Sequence, residues 1–395
     1  MTDPQRSASF TPSRLKGTKV LISGASIAGP ALALWLARYG CAVTVVERAP
    51  ELRTGGQAVD FKGATHRTVL ERMGVWDEVN QRQTGGHDQT VIDAGGRKLA
   101  TIPGTFTGGD VEIYRGDLSQ ILYDRTAADC EYVFGDSIAS MTETPGGIDV
   151  TFERSAPRSF DLVVGADGIH STVRRLAFGP EERYVTFLGH YYALADLDGG
   201  DSSDGPVMYN EPGRMIAVGG PKAPAFFVFA SDPLDFDRFD TVRQKQLLQE
   251  AYRGARWRVP ELMTKVPDCR DFYMDSLSLA TVDEYSTGRV VLAGDSAYGN
   301  TLGGFGTGLA VVGAYVLAGE LKAADGDHRA AFAAYQQQFL PYAKATRRTA
   351  AGPFLAPGSG MRMTMRNWTF KSRLLLDLMM RTTDRFATDI TLKDY

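Results

Sequence analysis

The first eighty residues carry the clearest pattern of apolar and polar positions in the chain. Val20 to Ile22 is a short apolar run, and residues 24–29, Gly-Ala-Ser-Ile-Ala-Gly, form a turn of small residues. Helix-like composition follows from Pro30 to Arg38, and Ala42 to Val46 is a second apolar run. The pattern predicts a strand, a tight turn, a helix and a second strand, which together make a βαβ unit.

The turn matches a dinucleotide-binding fingerprint at Gly24 and Gly29, but Ser26 stands where the middle glycine usually lies. The helix that follows still offers free N–H groups to a phosphate. Glu47 lies 18 residues after Gly29, near the offset of roughly 20 at which an acidic side chain binds an adenosine ribose. An ordinary tight connection is the alternative for the turn alone, whereas strand, helix and Glu47 in register favour a dinucleotide.

Two further apolar runs lead into aspartates. Phe160 to Val164 precedes Asp167, and Arg289 to Ala293 precedes Asp295. Ligands bind at the carboxyl ends of parallel strands, where an aspartate accepts hydrogen bonds from sugar or ribityl hydroxyls. Each aspartate alone is explained as well by a helix cap or an Asx turn. Their occurrence with the first motif favours one extended cofactor that both aspartates approach.

Taken in order, these segments resemble the FAD-dependent aromatic monooxygenases built like para-hydroxybenzoate hydroxylase. The similarity spans most of the chain and includes the strand end 45–48 and the segment 115–118, Arg-Gly-Asp-Leu. Segments 55–60 and 313–321 are similar to the tetracycline-inactivating branch and its actinobacterial-type relatives. The resemblance implies FAD as cofactor, with NADPH or NADH as a transient reductant.

The resemblance also implies residue roles. Glu47, with Arg48 nearby, would hold the adenosine ribose, and Arg115 would approach the ribose and pyrophosphate. Asp295 would hold the ribityl chain, and Asp167 would support the site. No catalytic side chain is implied, because the chemistry belongs to the flavin. The implied cofactor-binding residues are Gly24, Ser26, Ile27, Ala28, Gly29, Glu47, Arg48, Gln57, Arg115, Asp167, Asp295, Gly306, Thr307 and Gly308.

The loop after Asp295 departs from the family. Residues 298–308 lack the usual proline and run one residue short. Because proline fixes φ, we expect its absence to leave this loop more mobile. Gly306 to Gly308 still begin a predicted helix that runs through Leu321, and its first amides would face the pyrimidine edge of the flavin and stabilise the reduced ring. A glycine-rich entry to a core helix is the alternative.

The remaining pattern completes an α/β prediction of mixed α+β character. Apolar runs between about residues 184 and 272 predict an antiparallel sheet that covers the flavin and forms a pocket. Met215, Phe227 and Phe229 are candidates for the pocket wall, with buried sheet core as the alternative for each. Residues 370–386 predict an amphipathic helix, which by resemblance closes the substrate entrance.

The pattern divides the chain into four parts. The predicted boundaries are a flexible extension at 1–17, a discontinuous Rossmann-like FAD-binding domain at 18–85, 110–180 and 275–345, an interleaved substrate domain at 86–109 and 181–274, and C-terminal helices that cap the pocket at 346–395.

Composition and charge narrow the expected partners. The net charge is −4 and the basic residues are scattered, which argues against nucleic acid. The three cysteines, Cys41, Cys130 and Cys269, lack the spacing of a zinc site or a disulfide framework, so no metal is expected. The same cysteine pattern fits a reducing cytoplasm. Without a secretory signal or a run of about 18 apolar residues, we expect no membrane binding, and a monomer and a homodimer both stay open.

The resulting hypothesis is a monooxygenase that uses FAD, NAD(P)H and O₂ to hydroxylate an aromatic or polyketide-type small molecule, in antibiotic tailoring or inactivation, through a hydroperoxide at flavin C4a. Baeyer–Villiger oxygenation on the same scaffold stays open. A non-redox enzyme or a ligand-binding protein that has lost FAD also stays open, because of Ser26 and the proline-free loop. A simple NAD-dependent dehydrogenase would leave the Asp167 and Asp295 strand ends without a role.

Overall fold

A computed structural model gives the fold. It describes residues 15–53, 57–107, 109–197, 205–220, 225–304, 306–347, 351–372, 374–376 and 390–395. Residues 1–14 of the predicted extension, Gly55 and Gly56, and most of the predicted helix at 370–386 lie outside the described residues.

The described elements alternate between strand and helix near the start of the chain, run mostly as strands through its middle and end as consecutive helices. The strands are β1 (Lys19–Ser23), β2 (Ala42–Glu47), β3 (Ala58–Phe61), β4 (Gln89–Ile92), β5 (Lys98–Ile102), β6 (Val111–Tyr114), β7 (Glu131–Phe134), β8 (Ile138–Thr144), β9 (Gly147–Phe152), β10 (Arg158–Phe160), β11 (Leu162–Gly165), β12 (Val185–Ala195), β13 (Val207–Glu211), β14 (Arg214–Val218), β15 (Ala225–Ala230), β16 (Phe272–Ala280), β17 (Ser286–Thr287) and β18 (Val290–Leu292). The helices are α1 (Ala28–Arg38), α2 (Gly63–Met73), α3 (Trp76–Gln81), α4 (Gly104–Thr107), α5 (Arg115–Asp124), α6 (Thr172–Ala177), α7 (Thr241–Ala251), α8 (Val259–Lys265), α9 (Asp295–Tyr298), α10 (Gly306–Ala323), α11 (His328–Thr346), α12 (Ala351–Leu355) and α13 (Gly360–Lys371).

The described strands form four sheets, two of them small, in the orders β10-β9-β8 and β3-β6. The first large sheet has six strands, in the order β17-β18-β11-β1-β2-β7. Its inner strands are parallel, and only the β17–β18 pair is antiparallel. Val20, Leu21 and Ile22 of β1 have no solvent exposure, because a parallel sheet is covered by helices on both faces. The predicted βαβ unit is therefore present, with α1 between β1 and β2.

The second large sheet has seven strands, in the order β16-β12-β15-β14-β13-β4-β5. It is antiparallel as predicted except for one parallel pair, β13 with β4. The chain enters this sheet twice, first through β4 and β5 and later from β12 to β16. One face packs on α7 and α8, and the other packs on residues of α12 and α13.

The last described residues, 390–395, return to α10. The Tyr395 ring fills the space above Gly319, where an added Cβ would lie 2.1 Å from the ring. The buried carboxylate of Glu320 accepts hydrogen bonds from Lys393 Nζ at 2.5 Å and from the Tyr395 hydroxyl at 2.7 Å. The end of the chain is thus fixed to a helix that packs beside the six-stranded sheet.

Across the described ranges, no helix is both long and apolar enough to cross a bilayer. The same residues contain no group of three or more His, Cys, Asp or Glu side chains placed to hold a metal ion.

Candidate functional site

The loops after β1, β11 and β18 meet at one edge of the six-stranded sheet. Gly24 follows β1 with φ +109°, and a Cβ there would lie 2.3 Å from the carbonyl oxygen of Ala166. Gly294 follows β18 with φ +65°, and a Cβ there would lie 2.7 Å from the Cβ of Ala28. Only glycine fits such contacts. The three motifs found in the sequence are therefore in direct contact.

Ser26 holds an arginine beside the turn. Its hydroxyl oxygen accepts hydrogen bonds from Arg115 Nε at 3.2 Å and Nη2 at 2.9 Å. A glycine at this position has no side chain to make these bonds. The helix N-cap, Ile27, makes no side-chain capping bond, so the first turn of α1 keeps amide N–H groups for a phosphate. The departure from the glycine fingerprint thus fixes a cationic group at the site.

Glu47 and Arg48 point to different places. The two carboxylate oxygens of Glu47 accept the backbone N–H groups of Ala25 at 2.8 Å and Ala49 at 2.9 Å. Each oxygen keeps a lone pair for a ligand hydroxyl. Arg48 instead turns toward the β8–β9 hairpin, where its Nη2 lies 3.2 Å from the hydroxyl of Ser137. The structure places Glu47 at the turn and directs Arg48 away from it.

Asp167 is engaged by the protein itself. One carboxylate oxygen accepts the N–H of Val173 at 3.1 Å and the hydroxyl of Ser23 at 3.3 Å, and the other accepts the hydroxyl of Ser171. Burial raises the pKa of this carboxyl, and the hydrogen bonds from Ser171 and Val173 oppose the rise. Asp167 therefore holds the start of α6, whose N-cap is Ser171, against β1, and its support of the cofactor site stays a prediction.

Asp295 differs from Asp167, although both follow a strand of the same sheet. It is exposed to solvent, although desolvation by the surrounding protein atoms raises the pKa of its carboxyl while the charge of Arg115 lowers it. Within the described part of the chain, no side chain or backbone group is hydrogen-bonded to this carboxylate. A Cβ on Gly306 would lie 3.6 Å from its Oδ1. Such a carboxylate is free to accept ligand hydroxyls.

The loop after Asp295 is tied to the seven-stranded sheet. The Ala280 N–H donates to the Gly299 carbonyl at 2.7 Å, and the Thr301 N–H donates to the Ser278 carbonyl at 3.0 Å. These backbone bonds hold the stretch from which the family proline is missing. Gly306, Thr307 and Gly308 then begin α10 at the predicted position.

Two acidic residues near the site were not identified as site residues from the sequence. Asp60 of β3 is paired with Glu112 of β6, and burial together with Glu112 raises the pKa of Asp60 to about 8. Gln57, just before β3, accepts the Arg115 N–H through its carbonyl at 3.3 Å. The pair could not be found by pattern alone, because the strand register joins residues about fifty positions apart.

A histidine also joins the two sheets. His170, in the loop after β11, has Nδ1 2.8 Å from Glu181 and Nε2 3.1 Å from Asp275 of β16. The Tyr273 hydroxyl donates to the same aspartate at 2.8 Å. Burial lowers the pKa of His170, but the hydrogen bonds to the two carboxylates outweigh it and raise the pKa to about 9. An imidazolium therefore connects the two sheets at neutral pH.

The three candidate wall residues do not share one wall. Phe227 and Phe229 pack in the cluster beneath α7 and α8, whereas Met215 belongs to the cluster on the opposite face. Side chains alternate across a strand, so Phe226 and Val228 lie on the Met215 side. Phe227 and Phe229 are sheet core, which was the alternative for them. Phe226 is a partly exposed aromatic residue on the Met215 face. The alternation along β15 is the sequence signal that separates these residues.

Comparison with known proteins decides which dinucleotide the chain binds. A family described as FAD binding domain matches residues 17–350. The chain belongs to this family. It is a flavin-dependent monooxygenase with FAD as its cofactor.

Two relatives and a solved structure show how far the likeness extends. This flavin-dependent monooxygenase is 41% identical over 339 residues to the uncharacterized protein MT1298 of Mycobacterium tuberculosis, covering 81% of this chain and 89% of that protein. It is 34% identical over 346 residues to a flavin-dependent monooxygenase of Legionella longbeachae, covering 84% and 88%. The crystal structure of the tetracycline destructase Tet(55) aligns with a TM-score of 0.81 at 31% identity, covering 96% of this chain and 99% of that one.

Proposed function

We propose that this flavin-dependent monooxygenase hydroxylates an aromatic or polyketide-type small molecule, with NADH or NADPH as the electron donor. The balanced reaction is RH + O₂ + NAD(P)H + H⁺ → ROH + NAD(P)⁺ + H₂O. FAD supplies the electron transfer and oxygen activation when it is bound. The side chains bind and orient FAD and the substrate, and they keep water from the reacting atoms.

The observation that carries the proposal is the position of Leu302. This residue lies in the loop between Asp295 and α10, and it packs against the apolar cluster of the seven-stranded sheet that contains Met215 and Val228. The loop that follows the Asp295 carboxylate is thus in contact with an apolar surface. A substrate that lies on this surface is next to the cofactor site, and an apolar ring system suits it.

Aromatic side chains cover the same surface. Phe106 of α4, Phe354 of α12 and Phe370 of α13 form a trio with ring centroids 5.3 to 6.0 Å apart. Aromatic rings at these separations attract one another edge to face. This trio supports the proposal that the C-terminal helices cap the substrate pocket.

The cofactor-binding roles follow from the same edge of the sheet. We assign the ribityl hydroxyls to Asp295, the ribose to Glu47, and the pyrophosphate to Arg115 with the first turn of α1. The amides of Gly306 to Gly308 are assigned to the pyrimidine edge of the flavin. The name of the solved relative, a tetracycline destructase, supports a polycyclic polyketide as the first substrate to test.

The test begins with FAD-loaded protein under anaerobic conditions, to which NADH or NADPH is added. We expect the flavin absorbance to bleach with at least one of the two donors. In air, a tetracycline and a simple phenol are then compared with a non-aromatic molecule of similar polarity. The expected result is faster NAD(P)H oxidation and a product heavier by one oxygen atom, labelled when ¹⁸O₂ is used.

Two outcomes would overturn the proposal. Flavin that is not reduced by either nucleotide would exclude NAD(P)H as the donor. Reduction without transfer of labelled oxygen to any aromatic compound, with hydrogen peroxide as the product throughout, would exclude the proposed substrate class.

A further inference from the structure

His66 of α2 lies directly against the first turn of α10. A Cβ on Gly308 would lie 2.0 Å from its Cε1 and 2.3 Å from its Nε2. No side chain other than hydrogen fits between the imidazole and this turn. The same turn approaches Asp295 at Gly306, as described above. The turn assigned to the flavin therefore rests on His66.

Both ring nitrogens of His66 are engaged, and they connect different helices. The Lys62 N–H, at the start of α2, donates to Nδ1 at 3.0 Å. Because Nδ1 accepts this bond, the ring proton of the neutral form is on Nε2, which lies 3.1 Å from the Tyr342 hydroxyl of α11. One side chain thus joins the start of α2 to α11 while it contacts the start of α10.

The imidazole is neutral in this position. His66 is 1% exposed, and burial lowers its pKa to about 4, against a smaller opposing effect of Asp110. A neutral ring adds no charge of its own beneath the turn. The partial positive charge at the N-terminus of α10 then comes from the helix alone.

We propose that His66 is a positioning residue that holds the first turn of α10 at the flavin site through its contact with Gly308 and its bonds to Lys62 and Tyr342. It acts through that turn and has no role as a proton donor or acceptor. The proposal rests on FAD binding and is independent of the substrate class.

Three substitutions separate the contributions of the ring. His66→Phe keeps a ring but removes both hydrogen bonds, and we expect the FAD dissociation constant to rise at least tenfold. The midpoint potential of the bound flavin should become more negative, since a displaced helix terminus stabilises the reduced ring less. His66→Asn places a polar group near Nδ1, and His66→Gln places one near Nε2. Each should recover part of both effects.

His190→Phe is the matched control. This buried histidine of β12 also packs against a glycine, because a Cβ on Gly352 would lie 2.5 Å from its Nδ1. It lies in the seven-stranded sheet, so its replacement should lower the melting temperature and leave the flavin potential unchanged. FAD affinity is measured by fluorescence titration without substrate, so failure here is distinct from failure of the proposed reaction.

The proposal fails if His66→Phe lowers the melting temperature but leaves the flavin site unchanged. Unchanged means that the FAD dissociation constant stays within twofold of the wild-type value and that the midpoint potential shifts no more than it does in His190→Phe. His66 would then be an ordinary core residue. Should His66→Phe not fold, Tyr342→Phe replaces it. Loss of that hydroxyl must then shift the potential in the same negative direction, and an unchanged potential would refute the proposal.

Discussion

The edge of the six-stranded sheet and the apolar face of the seven-stranded sheet are specified in different ways. At the edge, short segments fix backbone contacts, as at Gly24 and Gly294, and place polar side chains at strand ends. On the face, the chemistry depends on which side of a strand each residue occupies and on which helices cover it. Local motifs therefore specify the edge of the six-stranded sheet, whereas strand register and contacts between distant segments specify the apolar face of the seven-stranded sheet.

The largest expected effect is the loss of stability on substitution of Phe227, compared with its neighbour Phe226 on the other face of β15. Phe227 is fully buried and packs edge to face on Tyr252, with centroids 5.3 Å apart. Its replacement by alanine should cost about 3–5 kcal/mol of unfolding free energy. Phe226→Ala, on the partly exposed opposite face, should cost about 1 kcal/mol and raise the KM for the aromatic substrate. Denaturant titration and steady-state kinetics measure both, and equal stability losses would contradict the assignment of faces.

The next effect compares the two strand-end aspartates. Asp167→Asn removes a charged acceptor with three protein donors, so the apoprotein should lose about 1–3 kcal/mol of stability. Asp295→Asn removes no bond to the described protein, so stability should change little, whereas the FAD dissociation constant should rise about 10- to 100-fold. Denaturation of apoprotein and fluorescence titration with FAD distinguish them. Unchanged FAD affinity in the Asp295 variant would remove its assigned role.

The smallest effect concerns the bridge between the sheets. The pKa of His170 is about 9 in the folded protein and about 6.5 when unfolded. The raised pKa stabilises the fold fully below about pH 6.5, and this contribution is lost as the pH rises through 9. We expect the wild type to lose on the order of 1–2 kcal/mol more than His170→Gln between these pH values, allowing for partial exposure. The unfolding free energies of both proteins are measured by denaturation at pH 6, 7.5 and 9. If they fall equally with pH in the wild type and in His170→Gln, the result argues against the bridge.

Much of the cofactor edge was predictable because its signals are local. The turn from Gly24 to Gly29, the strand ending at Glu47 and the start of α10 at Gly306 each occupy a few consecutive residues. Neighbouring parallel strands then bring these segments together. The sequence alone could not separate Asp167 from Asp295, since their difference is the set of donors that surrounds each carboxylate.

Contacts between distant residues were beyond the sequence pattern. The hydrogen bond from Arg115 to Ser26 spans 89 positions. Without that bond in view, Ser26 is only a departure from the dinucleotide-binding fingerprint. The contact of His66 with Gly308 and the bridge of His170 to Asp275 depend in the same way on how helices and sheets pack. For Phe227 and Phe229 the signal is local, because the alternation along β15 places both on one face and Phe226 on the other.

The double entry of the chain into the seven-stranded sheet limits how this enzyme can be recombined with its relatives. A gene crossover between β5 and β12 would place a foreign β13 beside a native β4. Three parallel pairs, from Val207–Thr90 to Tyr209–Ile92, would then have to match between two parents. A chimaera designed to exchange substrate preference should therefore take β4–β5 and β12–β16 from the same parent.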